Sequence, residues 1–305
     1  MAPELLTYQQ IDKKRWDAAI DKSSNGLIYA KSFYLDRFSP DWSAIVWNDY
    51  SAVMPLTWRK RYGIQYLCQP AFTQQGGLYS AGPLAGEVIG EFEKLLTEHF
   101  KFAEFALNYS NDQLLQESRL EEKNNFIIDL HRPYENIFEQ YQHGFTKSLR
   151  RIKKFELQYT EADDHAAAID LYQLLYGKRI SHVKESEFMA LNQLCSELSA
   201  RGNIVLRQAF TSDDKLAALV LLLRDRNRLY NMISCMTEEG KQQEANYFLY
   251  DQLIKEFAGQ ELILDLEGSD LKGVARFYEK MGGINQPYPF VRYNNLPALV
   301  KIFKR

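Results

Sequence analysis

A chain of 305 residues exceeds what one hydrophobic core usually organises, so two domains of roughly 150 residues each are expected. Hydrophobic residues make up 46% and charged residues 25%, a composition that excludes a disordered tail or a collagen-like rod. The 37 basic and 40 acidic residues sum to a formal charge of -3, which excludes a global field for nucleic acid or anionic membrane; a polyanion must meet a local patch.

In chain order, Ile11 to Ile20 and Lys31 to Phe38 carry helical spacing of apolar residues on either side of the turn Ser23-Ser24-Asn25-Gly26. Ser43 to Asn48 and Ser51 to Arg61 then read as two strands joined at Asn48-Asp49, and Ile64 to Cys68 and Gly77 to Ser80 continue the sheet. Gly86 to Phe100 returns to helical period, and Ala103 to Asn108 and Phe126 to Leu130 to strand.

The second half gives a helix from Tyr134 to Lys154, a strand from Glu156 to Thr160, and helices from His165 to Arg179 and Glu185 to Arg201. Strands Ile204 to Ala209, Leu216 to Arg224 and Leu229 to Met236 follow. The chain ends with a helix Ala245 to Phe257, a strand Leu262 to Leu266, a helix Lys272 to Met281 and a strand Phe290 to Tyr293. This is a mixed α/β (α+β) layout, a sheet covered by helices, seen once clearly and once in weaker form. Pro133 disfavours helix at the residue before it, so the boundary is drawn there, giving domains 1–132 and 133–305.

Several chemistries lack their residues. Cys68, Cys195 and Cys235 are odd in number and widely spaced, without a neighbouring His, and read as reduced core cysteines of a cytoplasmic protein. His99, His131, His143, His165 and His182 have no metal-ligand spacing, and no Gly-x-Ser-x-Gly elbow or P-loop occurs. Met1 to Gln10 lacks the basic start and apolar run of a signal peptide, and the longest apolar stretch, Leu216 to Leu223, is far short of the ~20 residues of a membrane span.

The most informative segment is Asp265-Leu266-Glu267-Gly268-Ser269 followed by Gly273 to Gly283. A strand ending in two carboxylates and a Gly-Ser turn places polar groups at the carboxyl edge of the sheet, where open α/β sheets bind ligands. Phe277-Tyr278-Glu279-Lys280-Met281-Gly282 resembles the closing signature of the GCN5-related N-acetyltransferases, and that resemblance implies Tyr278 as the acid that serves the leaving group. Such enzymes cradle the coenzyme A pyrophosphate on a Gly-rich loop before a helix. In that place stand Thr237 to Glu244, with one glycine and three carboxylates, which repel a pyrophosphate.

One branch of that fold has a degenerate loop and takes its acyl group from aminoacyl-tRNA: the FemAB-like peptidoglycan-bridge aminoacyltransferases. The chain resembles it in its paired halves, the basic string Lys147 to Lys154, Lys178-Arg179, Tyr230-Asn231, Ala245-Asn246-Tyr247 and Asp265 to Ser269. The resemblance implies two tandem acetyltransferase-like domains, no tightly bound cofactor, and an aminoacyl-tRNA or acyl-CoA donor. The implied acceptor is an amine, such as that of a cell-wall precursor peptide.

Lys147, Arg150, Arg151 and Lys154 repeat at helical spacing as one positive stripe suited to phosphate, with a solvated helix face as the plain alternative. The resemblance puts Arg150, Arg151 and Arg179 beside the cleft. Gln69, Gln74 and Gln75 lie on a polar, glycine-containing loop with uncharged donors and acceptors, facing the acceptor by the same resemblance. Tyr230, Asn246 and Ser269 complete the substrate-binding set. In a direct attack of the amine on the carbonyl, Asp265 or Glu267 takes its proton. The rival reading is a non-catalytic module of the same fold that binds a cell-wall precursor or glycan.

Overall fold

The computed structural model describes residues 2–116, 118–180, 182–268 and 270–297. Two compact units emerge, Met1–Lys123 with Pro287–Arg305, and Asn124–Gln286. The division is therefore not a single cut between 132 and 133: the chain enters the second unit slightly earlier and returns to the first at its end.

The first unit contains β1 (Glu4–Leu6), α1 (Lys13–Lys22), α2 (Ser32–Phe38), β2 (Ser43–Trp47), β3 (Ala52–Leu56), β4 (Trp58–Arg61), β5 (Ile64–Cys68), β6 (Tyr79–Ser80), α3 (Gly86–His99), β7 (Phe102–Ala106) and β8 (Arg119–Lys123). The second contains β9 (Phe126–Asp129), α4 (Tyr134–Phe138), α5 (His143–Ile152), β10 (Gln158–Ala162), α6 (His165–Tyr176), α7 (Glu185–Ser199), β11 (Ile204–Phe210), β12 (Leu216–Arg224), β13 (Arg228–Met236), α8 (Glu238–Gln242), α9 (Ala245–Phe257), β14 (Ile263–Asp265), α10 (Lys272–Lys280) and β15 (Ile284–Asn285). The last strand, β16 (Tyr288–Asn294), belongs to the first unit.

In the first unit the expected long strand over 51–61 is broken at Thr57. β3 joins the sheet β1-β2-β3-β6, and β4 joins β4-β5-β7-β16-β8. The Thr57 hydroxyl donates to the Cys68 carbonyl at 2.8 Å, fixing the point where the chain changes sheets. β16, expected in the second domain, lies between β7 and β8, with buried Val291 opposite Phe105.

The second unit is built on one sheet, β10-β11-β12-β13-β14-β9-β15. β12 reads LAALVLLLR and is buried from Ala217 to Leu223, as a central strand covered on both faces must be. The apolar stripe of α9, Leu249, Leu253, Ile254 and Phe257, packs into the same core as Val220, Leu222 and Leu264. The expected helix over 134–154 is two helices, because Tyr141 turns into the core between α4 and α5 and Gln142 N–H bonds to the Lys280 carbonyl at 2.9 Å.

Candidate active site

β13 and β14 run parallel and pair only over Arg228–Tyr230 with Ile263–Asp265. Beyond that, β13 continues to Met236 along β12, while the chain after β14 is drawn the other way. Leu266 N–H bonds to the Phe126 carbonyl at 2.8 Å and Gly268 N–H to Asn125 Oδ1 at 2.9 Å. The two strands therefore split at their carboxyl ends, the position at which parallel sheets receive ligands. β13 also carries a bulge: Leu221 pairs with Ile233 and Leu222 with Asn231, leaving Met232 as the extra residue. Bulges re-aim side chains, and this one adjoins Asn231.

Tyr278, on α10, is buried at this split. Asn231 Nδ2 donates to Tyr250 Oη at 2.7 Å and lies 3.4 Å from Tyr278 Oη, which gathers the two phenols on one amide. Burial, then Tyr250, then the Glu267 carboxylate push the Tyr278 phenol well above its ordinary value of 10. Burial raises Tyr250 to about 12. Both phenols hold their protons at neutral pH and can only donate or share them. Glu267 sits at a positive φ of 53°, a strained conformation for a glutamate, just past β14.

Asp265, expected as an alternative base, is fully buried and committed: it takes Arg228 Nη1 at 2.6 Å and the Glu267 N–H at 3.0 Å. It positions the turn that carries Glu267. Tyr230, paired with Asp265 in the ladder, is also fully buried, and its hydroxyl donates to Asp225 Oδ2 at 2.6 Å in the β12–β13 turn. The side chain reaching Tyr278 is its neighbour Asn231, the second residue of the Tyr230-Asn231 pair. Ser269 lies outside the described residues.

The basic string divides. Lys147 is exposed on α5. Arg151 Nε meets Glu244 Oε2 at 3.1 Å in a two-pronged ion pair, and Glu244 is the residue that caps α9, at a φ of 53°. Asn246 lies in the first turn of that helix. Arg150 instead lines a cavity of about 440 Å³ between α4, α5 and α9. Arg179 follows α6 and stacks over the Tyr176 ring at 5.4 Å, while Tyr176 Oη accepts from Met236 N–H at 3.5 Å, at the end of β13.

Residues 237–244, the expected place of a pyrophosphate cradle, begin with the short helix α8, capped by Thr237 Oγ1 taking the Gly240 N–H at 3.1 Å. Gly240 serves packing, since a Cβ there would lie 1.9 Å from the Ala217 carbonyl oxygen. In the first unit the glutamines brace their own loop. Gln69 donates to the Thr73 carbonyl and accepts from Ala106 N–H; buried Gln75 donates to Gln74 Oε1 at 2.8 Å and accepts from Tyr109 N–H at 2.8 Å.

Residues 143–272 match the family model for an acetyltransferase (GNAT) domain. That match falls within the second unit and spans less than half of the chain. The whole chain aligns with the crystal structure of FemX, covering 100% of both chains at 9% identity with a TM-score of 0.68. A conserved protein of unknown function from Bacteroides thetaiotaomicron covers 92% of this chain and 97% of its own at 12% identity, TM-score 0.61. L-PGS from Bacillus licheniformis covers 96% and 95% at 10% identity, TM-score 0.52. At these identities the likeness is one of fold, and it bears out the expected pair of acetyltransferase-like α/β domains. No curated protein matches the sequence. Among the described residues no helix is long and apolar enough to cross a membrane, and no cluster of His, Cys, Asp and Glu is arranged to hold a metal ion.

Proposed function

We propose that the split between β13 and β14 transfers an aminoacyl or acyl group from an ester donor onto an amine. The observation that carries this reading is the protonated Tyr278 phenol, gathered with Tyr250 on the Asn231 amide and within the field of the Glu267 carboxylate.

In the proposed step the acceptor nitrogen attacks the donor carbonyl, forming the C–N bond. Glu267 takes the proton the nitrogen loses. Collapse breaks the C–O bond, and Tyr278 gives its proton to the departing oxygen and is reprotonated through its polar neighbours. A phenol raised well above 10 suits an alkoxide leaving group, the stronger base, better than a thiolate, which departs without protonation. That favours the ribose ester of aminoacyl-tRNA over an acyl-CoA thioester. The closed helix α8 and the Arg151–Glu244 pair at the start of α9 favour it too, because they occupy the positions of a pyrophosphate cradle. Exposed Lys147 and Arg179 are proposed to meet the donor's phosphates. The FemAB-like resemblance adds a peptidoglycan precursor peptide as the amine-bearing acceptor.

The test is to incubate purified protein with a lysine-bearing precursor peptide and either charged tRNA or acetyl-CoA, and to follow the peptide mass. Addition of an aminoacyl mass only with charged tRNA is expected. Acetylation alone would overturn the donor assignment. Peptide binding without transfer from either donor would favour the binding-module alternative, to which the missing cradle also lends some support.

A further inference from the structure

α9 carries two adjacent residues that serve opposite sides of the helix. Tyr250 faces Asn231 and Tyr278, while Asp251 takes the Tyr134 hydroxyl at 2.7 Å on the side of α4 and α5. That second side opens into the cavity of about 440 Å³ lined by Arg150, within the roughly 300–1,000 Å³ range of small-molecule sites. We infer that this cavity is a second small-molecule site, separate from the transfer split, which takes an organic anion with an apolar body.

Arg150 and Lys153 line the cavity three residues apart at the end of α5, with Thr146 one turn earlier. Neither cation has an ion-pair partner among the described residues, in contrast to Arg151, which is held by Glu244. A guanidinium and an ammonium with free donors suit a carboxylate or phosphate, while the Thr146 hydroxyl is committed to the His143 carbonyl at 3.0 Å. Leu149, Ile152, Leu157 and Phe248 supply the apolar wall, and Phe138, 39% exposed, stands on the same wall.

Two acids also face the space. Glu156 is exposed at its edge, and Asp251 is buried and engaged by Tyr134. The Tyr141 hydroxyl feels the Asp251 charge but lies outside good hydrogen-bond geometry. Burial raises the Asp251 carboxyl above its ordinary value, and the Tyr134 hydroxyl occupies one of its oxygens. On the exposed rim the two cations, Arg150 and Lys153, outnumber the one acid, Glu156, while Asp251 is buried and turned to Tyr134. This inference does not rest on the transfer reading.

Calorimetric titration of the full chain with octanoate and with hexyl phosphate tests it, with octanol as the uncharged probe. Saturable one-to-one binding of at least one anion is expected, weakened about tenfold or more, some 1.4 kcal/mol, in Arg150→Gln/Lys153→Gln and in Lys153→Glu, each checked for native circular dichroism. The preferred anion separates a carboxylate ligand from a phosphate one. Binding should persist in Tyr278→Phe, which leaves this cavity untouched. No saturable binding of either anion, equal binding by both folded variants, octanol binding as tightly as the anions, or loss of binding in Tyr278→Phe would each overturn the inference.

Discussion

Asn231 donates through one amide nitrogen to Tyr250 at 2.7 Å and reaches Tyr278 at 3.4 Å, so a single side chain on the bulged strand sets the position of two phenols from two different helices. Its Oδ1 is buried with no protein partner among the described residues. Asn231→Leu removes the shared donor. The expected loss is about 1–3 kcal/mol of stability, because Tyr250 Oη loses a buried partner, together with a fall in transfer rate from a misplaced Tyr278. Thermal unfolding and single-turnover transfer measure the two effects separately.

The Arg228–Asp265 pair, 2.6 Å apart and almost fully buried, makes a different prediction. Asp265→Ala strands a buried guanidinium and should cost about 3–5 kcal/mol in denaturant unfolding. The double variant Arg228→Met/Asp265→Leu should recover most of that loss while leaving transfer impaired, since the Glu267 N–H loses its anchor. A single variant that is fully stable would contradict the role of Asp265 as a buried anchor.

The elements of the second unit are largely legible because their patterns are unbroken: β12 and α9 occur where a continuous apolar run and helical spacing put them. What escaped depends on distant partners. β16 reads as a strand from its own residues, but its place between β7 and β8 is set by register with residues more than 150 positions away in the chain. The site shows the same limit at the scale of one residue. Tyr230 and Asn231 point to opposite faces of β13, and sequence alone does not say which face looks into the split. The glutamine loop reads as a binding loop from its polar groups, yet Gln69 and Gln75 use them on the backbone N–H groups of Ala106 and Tyr109 and on the loop itself.

Gly268 approaches the link between β8 and β9 so closely that a Cβ would fall 1.5 Å from the Asn124 carbonyl oxygen. Gly268→Ala must therefore shift the turn carrying Glu267. Overpacking of this kind costs about 1–3 kcal/mol. The transfer rate should fall by more than the stability change explains, because only a fully folded fraction is assayed well below the unfolding midpoint.

Asp251 gives a pH-dependent outcome. Its carboxyl is raised above 3.8 by burial, so the folded protein binds this proton more tightly than the unfolded chain. Its contribution is fully present below the unfolded value and is lost as pH rises through the folded one. Asp251→Asn keeps an acceptor for the Tyr134 hydroxyl without a charge. The variant should melt higher than the wild type near neutral pH, with the advantage disappearing as pH falls toward 4. An advantage that grows with acidity would show the opposite sign of shift.

The most direct test of the central claim is single-turnover aminoacyl transfer by Tyr278→Phe, which deletes one proton donor from the split and leaves the ring in place. The account predicts a rate reduced about 10²–10⁴-fold with nearly unchanged thermal unfolding. A rate within about twofold of the wild type would contradict it, since no transition-state interaction would then have been lost.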